Sequence, residues 1–237
     1  MTSTTIHVDA ALFDMDGTLV DSTAGVEGAW EVFKQKYPQI DINLVLSSAH
    51  GVRTVENLRV HCGVTDPDEL EREAERFEAA IVTSASEGGR QGIVILPGVA
   101  DALEVIKGSR SLPNPTWAIC TSATRKYAKA ALSAAGVPVP DVFVTSEDVK
   151  QGKPAPDPYL LGAKQSGYKP ENCVVFEDAP AGVRSGNAAG CKTIGFLTTH
   201  SKEQMEAAKP TFLVKDMSQV KFSLAEGGGL DLTIDSL

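Results

Sequence analysis

What most constrains this chain is an alternation of short apolar runs with glycine-terminated helical stretches, spread over most of its length. Runs at Ala10–Phe13, Trp117–Cys120, Val142–Val144, Cys173–Phe176 and Thr193–Leu197 have the length and composition of strands, with Thr211–Val214 a weaker sixth. Between them, Thr124–Ala135 stops at Gly136, Pro158–Gln165 at Gly167, and Ala181–Ala189 at Gly190. Glycine just past a periodic segment is the expected helix stop, because it enters the left-handed conformation without strain. Strands alternating with helices at this spacing predict a parallel sheet covered by helices on both faces, an α/β, doubly wound, Rossmann-like core. In such sheets ligands bind beyond the carboxyl ends of the strands.

One region interrupts the alternation. From Leu19 to Leu96 helical patterns recur and no convincing strand is found. Val26, Ala29, Trp30, Phe33 and Tyr37 follow helical spacing, with Trp30 and Tyr37 expected in the core of this region rather than as stacking platforms. Asp66-Pro67-Asp68-Glu69 then reads as a helix start, continued on one face by Leu70, Ala74, Phe77 and Ile81. The expected organisation is a core domain from residues 1–18 and 97–237, interrupted by an all-helical domain over 19–96. The C-terminal AEGGGLDLTIDSL is compatible with an edge strand or a loose tail.

Charge and composition exclude several function classes. The formal net charge is −9 and no stretch concentrates Lys and Arg, which argues against a nucleic-acid or anionic-membrane partner. Cys62, Cys120, Cys173 and Cys191 are scattered without a C-x-x-C pair, so neither a disulfide framework nor a zinc site is expected. The first ten residues lack a basic start and an apolar stretch, and no apolar run reaches the ~18 residues of a spanning helix. A soluble cytoplasmic protein, monomeric by default, is the expectation.

Chemistry-bearing residues gather where the strands end. Ala11-Leu12-Phe13-Asp14-Met15-Asp16-Gly17-Thr18 places two carboxylates at the end of an apolar strand, just before a glycine that turns the chain. Two carboxylates held close repel one another, and oxygen ligands favour a hard divalent ion, most often magnesium where phosphate is involved. A bare D-x-D-G is equally consistent with a solvated turn. The next strand ends in Thr121 and Ser122, whose hydroxyls serve phosphate oxygens or simply cap the following helix. Lys153 sits in the rigid Gln151-Gly152-Lys153-Pro154-Ala155-Pro156 loop, and Val174-Val175-Phe176 leads into a second acid pair, Glu177 and Asp178. Each has a bland explanation, but four such features at successive strand ends outweigh coincidence.

In their order and spacing, these four segments resemble the motifs of the haloacid dehalogenase superfamily of phosphotransferases, across nearly the whole chain. The inserted helices resemble that superfamily's small helical cap. AALFDMDGT, His50-Gly51-x-Arg53-Thr54, WAICTSATR, DVKQGKPAPDPYL and VVFEDAPAG running into AAGCK resemble the fungal glycerol-3-phosphatase and 2-deoxyglucose-6-phosphate phosphatase group. The resemblance implies a Mg2+-dependent phosphatase of a small sugar or polyol phosphate. Asp14 would be the nucleophile that forms an aspartyl-phosphate, and Asp16 the general acid and then base. Asp14, the Asp16 backbone carbonyl and Asp178 would hold the metal, with Glu177 ligating directly or through water. Thr121, the Ser122 backbone and Lys153 would cradle the phosphate. His50 and Arg53 would reach in from the cap to set specificity, with Leu19–Asp21 and Leu96–Gly98 as hinges of cap closure.

Rival chemistries on the same scaffold are separable. A dehalogenase would not need Asp16, and a phosphonate hydrolase needs a cap lysine, whereas none occurs between Lys36 and Lys107. A sugar phosphomutase of the β-phosphoglucomutase type would use the same acids but carries a histidine twelve residues after the nucleophile, where this chain has Val26. A non-catalytic sugar-phosphate sensor usually loses a catalytic group, and this chain keeps them all. His7, His61 and His200 match no motif and are expected to be surface or internally satisfied residues.

Overall fold

The computed structural model describes residues 2–48, 50–107 and 114–237. Its core is a six-stranded, wholly parallel sheet built from β2 (Ala10–Phe13), β5 (Trp117–Cys120), β6 (Val142–Val144), β7 (Cys173–Glu177), β8 (Lys192–Phe196) and β9 (Phe212–Val214). The spatial order is β6-β5-β2-β7-β8-β9. The chain therefore starts in the middle, winds outward through β5 and β6, and returns to the other flank of β2 through β7. This change of direction at β2 is the switch point beside which doubly wound sheets open a ligand crevice. Both faces of β2 are buried: Ala11 and Phe13 join one apolar cluster, Ala10 and Leu12 the other. Such two-sided burial explains why the strands read as continuous apolar runs rather than alternating ones.

The intervening helices are α5 (Val99–Lys107), α6 (Arg125–Ala135), α7 (Asp157–Gln165), α8 (Pro180–Ala189) and α9 (Lys202–Ala207). Gly136 and Gly190 close α6 and α8 in the left-handed conformation, at φ 70° and 85°. This is the role their position in the sequence predicts.

After β2 come α1 (Thr23–Lys36), α2 (Ile42–Ser48), α3 (Thr54–Cys62) and α4 (Pro67–Ser84), a helical layer over the carboxyl end of the sheet. The Asp66 side chain accepts a hydrogen bond from the Glu69 amide at 2.8 Å and Pro67 opens the first turn, as the sequence predicts for α4. The Trp30 and Phe77 rings lie 4.4 Å apart, with Phe33 and Phe77 at 5.0 Å, so the aromatic residues of α1 form the core of the layer. Tyr37 donates to Glu73 instead of stacking on a ligand.

Two elements depart from the sequence expectations. The region 19–96 does contain strands: β3 (Val20–Asp21) and β4 (Val94–Ile95) pair antiparallel at the two ends of the helical segment. Two residues are too short to display a periodicity, and the pairing exists only because folding joins positions far apart in sequence. The C-terminal residues neither extend the main sheet nor lie loose. With β10 (Val220–Leu224), β11 (Leu230–Ser236) forms a hairpin whose second strand pairs with the N-terminal β1 (Thr2–Val8), in register from Thr2 opposite Ser236 to Val8 opposite Leu230. Phe222 of this small sheet lies against Phe176, centroids 5.6 Å apart, and Phe176 stacks on Phe13 at 4.7 Å. The extra sheet thus backs the two strands that carry the acids. No helix among the described residues is long and apolar enough to cross a membrane.

Candidate active site

Asp14 follows β2 directly, and its amide donates to the Phe176 carbonyl of β7 at 3.0 Å. That bond aligns the ends of the two strands and brings Asp14, Glu177 and Asp178 together. One carboxylate oxygen from each of the three lies within 4.8 Å of the others, and all three residues are buried. Lys153 reaches the same point from the loop before α7, with no exposed surface. Its ammonium donates to Asp14 Oδ1 at 2.5 Å and to Glu177 Oε1 at 2.7 Å. Three carboxylates against one ammonium leave two negative charges uncompensated in a buried site. The strain is visible electrostatically. Burial raises Asp14 well above the carboxylate range against the pull of Lys153, and burial plus the Glu177 charge pushes Asp178 up to about 7. An all-oxygen donor set short of two positive charges fits a hard divalent cation.

Further donors hold Glu177 and Asp178 in place. Glu177 accepts from the Tyr159 hydroxyl at 2.7 Å and from the Ala179 amide at 3.1 Å. Asp178 accepts from Thr18 Oγ1 at 3.1 Å and from Thr199 Oγ1. Backbone approach is close on both sides. A Cβ on Gly17, whose φ is +83°, would lie 2.3 Å from Asp178 Oδ2, and one on Gly182 would lie 1.6 Å from Glu177 Oε1.

Asp14 lines a cleft between sheet and helical layer. Asp16, Thr121, Ser122 and His50 line it too, together with Trp30, Phe77, Thr54, Asn57, Glu78 and Tyr127. Asp16 accepts at Oδ1 from Ser22 Oγ at 2.6 Å and from the Tyr127 hydroxyl at 2.8 Å. Burial raises its carboxyl, partly offset by those two bonds. Thr121 Oγ1 accepts from the Ala123 amide at 3.1 Å, while Ser122 Oγ donates across to the Gly51 carbonyl at 2.8 Å. His50 faces His200 in an edge-on ring contact at 5.9 Å. Burial pushes His50 down to about 4, with His200 acting in the same direction.

Of the nine sequence-derived site residues, the structure gathers Asp14, Asp16, Thr121, Ser122 and His50 around the cleft and sets Lys153, Glu177 and Asp178 about Asp14. Arg53 is placed differently. Its guanidinium donates to the carbonyls of Val149 at 2.6 Å and Lys150 at 3.1 Å, along the seam between helical layer and core, and it is not among the residues lining the cleft. The two carbonyls, on the loop that precedes Lys153, accept from its two terminal nitrogens, while its buried Nε has no hydrogen-bond partner among the described residues. His200, expected at the surface or satisfied, is satisfied but buried against the site, its Nδ1 at 3.1 Å from the Asp178 carbonyl.

Sequence reasoning did not single out Tyr127, Ser22, Thr199, Tyr159 or Glu78. Glu78 left a signal, a carboxylate at helical spacing from Ala74 and Ile81 on the apolar face of α4. It is buried and accepts from Thr54 Oγ1 at 3.0 Å and from the Thr124 amide at 3.2 Å, at the start of α6. The others carry no local signal, because their partners lie on different elements.

Known proteins show the same pattern. The family model for haloacid dehalogenase-like hydrolases matches residues 8–190. Hexitol phosphatase A of Escherichia coli is 40% identical over 211 residues, covering 84% of this chain and 93% of that protein. Glycerol-1-phosphate phosphohydrolase 2 of Saccharomyces cerevisiae is 34% identical over 224 residues, covering 91% and 85%. Among solved structures, a β-phosphoglucomutase from Clostridium difficile is similar at a TM-score of 0.71 and 25% identity, with 90% of this chain and 93% of that one covered.

Proposed function

This chain belongs to the haloacid dehalogenase-like hydrolase family, and within it we propose a Mg2+-dependent phosphomonoesterase that acts on a small polyol or sugar phosphate. The observation that carries this reading is the composition of the cleft around Asp14. It offers hydroxyl-binding groups (Thr54, Asn57, Glu78, His50) and an aromatic wall (Trp30, Phe77), while no lysine or arginine is among the described residues that line it. Such a cleft suits a substrate that is uncharged beyond its single phosphate.

Asp14 attacks phosphorus, the ester oxygen departs with the electron pair of its P–O bond, and an aspartyl-phosphate remains. Asp16 donates a proton to the departing alkoxide, a role suited to its raised carboxyl, and then withdraws one from the water that hydrolyses the acyl phosphate. Lys153 offsets repulsion between Asp14 and the incoming phosphate, whose oxygens are held by Thr121 and the Ser122 amide. Asp14, the Asp16 carbonyl, Asp178 and Glu177 would hold Mg2+, which supplies charge neutralisation of the phosphoryl oxygens. The helical layer acts as the cap that excludes water and reads the alcohol.

The test is phosphate release from glycerol 1- and 3-phosphate, 2-deoxyglucose 6-phosphate, and sorbitol and mannitol phosphates, with magnesium and with a chelator. β-Glucose 1-phosphate is included with coupled detection of glucose 6-phosphate. Magnesium-dependent release concentrated on one or two of these, and abolished in Asp14→Asn, is expected. Interconversion of glucose phosphates without net release would make the chain a mutase. Binding without turnover would leave only a sensor.

A further inference from the structure

Asp16 is held by two hydroxyls that arrive from different parts of the molecule. Ser22 immediately precedes α1, on the linker that leads from β3 into the helical layer. Tyr127 belongs to the core: it lies in the first turn of α6, its amide bonded to Thr124 Oγ1 at 3.3 Å, with Ala128, Ala131 and Leu132 of the same helix buried. Both hydroxyls donate to the same oxygen, Oδ1. Neither hydroxyl engages the other carboxyl oxygen, Oδ2, and Asp16 itself lines the cleft. Tyr127 is itself a cleft residue, 5% exposed, and a phenol at neutral pH is an available donor.

We infer that Tyr127 is a positioning residue for the proton transfer to the leaving alcohol: its hydroxyl fixes Oδ1 of Asp16 from the rigid core, so that Oδ2 meets the departing ester oxygen. In the step it serves, the P–O bond to the alcohol breaks, its electron pair goes to the alcohol oxygen, and the proton on Asp16 Oδ2 passes to that oxygen. Asp16 is left as the carboxylate that Tyr127 and Ser22 continue to hydrogen-bond. Because Ser22 rides on the linker to the helical layer while Tyr127 does not, Tyr127 keeps the carboxyl oriented whenever that layer shifts. A side chain that merely fills space at this position would not discriminate between leaving groups, whereas an orienting donor does.

The inference rests on Asp16 being the general acid, and the experiment separates the two. Tyr127→Phe and Asp16→Asn are compared with wild type by kcat/KM on the best polyol phosphate and on 4-nitrophenyl phosphate, whose phenolate leaves without a proton. This ratio reports steps only up to departure of the alcohol. Tyr127→Phe is expected to lose about tenfold to a hundredfold on the polyol ester, the scale of a misplaced catalytic group, and less than about threefold on the aryl ester. Asp16→Asn should show the same contrast, larger. Retained aryl turnover and an unchanged melting temperature report that Tyr127→Phe is folded. Equal losses on both esters, or no loss on either, would overturn the role of Tyr127 while leaving Asp16 as the acid. Absence of the contrast in Asp16→Asn would overturn the acid assignment and the inference with it.

Discussion

Lys153 illustrates how much one side chain carries at this site. Burial opposes its charge, but Asp14 and then Glu177 outweigh that cost and raise its pKa. Replacing it with methionine keeps the length and removes the ammonium, leaving the carboxylates with no internal counter-charge. Metal-free Lys153→Met is expected to lose about 3–5 kcal/mol, the range for breaking a buried ion pair. Magnesium should then restore more of its melting temperature than it adds to wild type, since binding to the folded state alone stabilises it. Thermal unfolding in chelator and in magnesium checks this; an unchanged melting temperature in chelator would refute it. The lysine is legible only together with the other strand-end groups, since alone in its Gly/Pro loop it reads as a solvated surface charge. Its second partner, Glu177, is not legible, because that contact requires β7 to lie beside β2.

At the scale of elements, the close fit of α8 onto the end of β7 shapes the acid cluster. Gly182 lies in the first turn of α8 with ordinary helical backbone, so alanine is tolerated conformationally but its Cβ would meet the Glu177 carboxylate at 1.6 Å. Gly182→Ala is expected to displace Glu177 from Tyr159 and Ala179 and to weaken magnesium binding about tenfold to a hundredfold, as for loss of groups that orient metal ligands. Titration of activity against magnesium measures the shift, and an unaltered midpoint would refute it. The segment Ala179-Pro180-Ala181-Gly182 announces a helix opening in the sequence. That its glycine is needed for room rather than flexibility depends on how near the helix sits to the strand.

Across the whole molecule, the helical layer is fastened to the core at several points: Arg53 to the Val149 and Lys150 carbonyls, Ser122 to Gly51, Glu78 to Thr124, and His50 against His200. Arg53 joins the layer to the very loop that delivers Lys153. Arg53→Ala is therefore expected to lower kcat/KM about tenfold, consistent with the loss of one or two hydrogen bonds from a charged donor. The loss should be similar for all turned-over substrates and leave their ranking unchanged. A selective loss on one substrate would instead make Arg53 a reader of the alcohol.

What the sequence determined is what local physics encodes. Apolar runs, glycine stops and acids at strand ends are properties of neighbouring residues, and they sufficed for the parallel sheet and for setting Asp14, Asp16, Glu177 and Asp178 at the ends of its strands. The tertiary structure decided whatever joins distant segments. The β3–β4 pair, the pairing of β1 with β11, the Tyr127 hydroxyl on Asp16 and the seam position of Arg53 all arise from contacts between residues tens to hundreds of positions apart. Such contacts leave no period or motif in the chain, because the hydrogen-bonding capacity of a serine, tyrosine or arginine is the same wherever it falls, and only packing selects the partner.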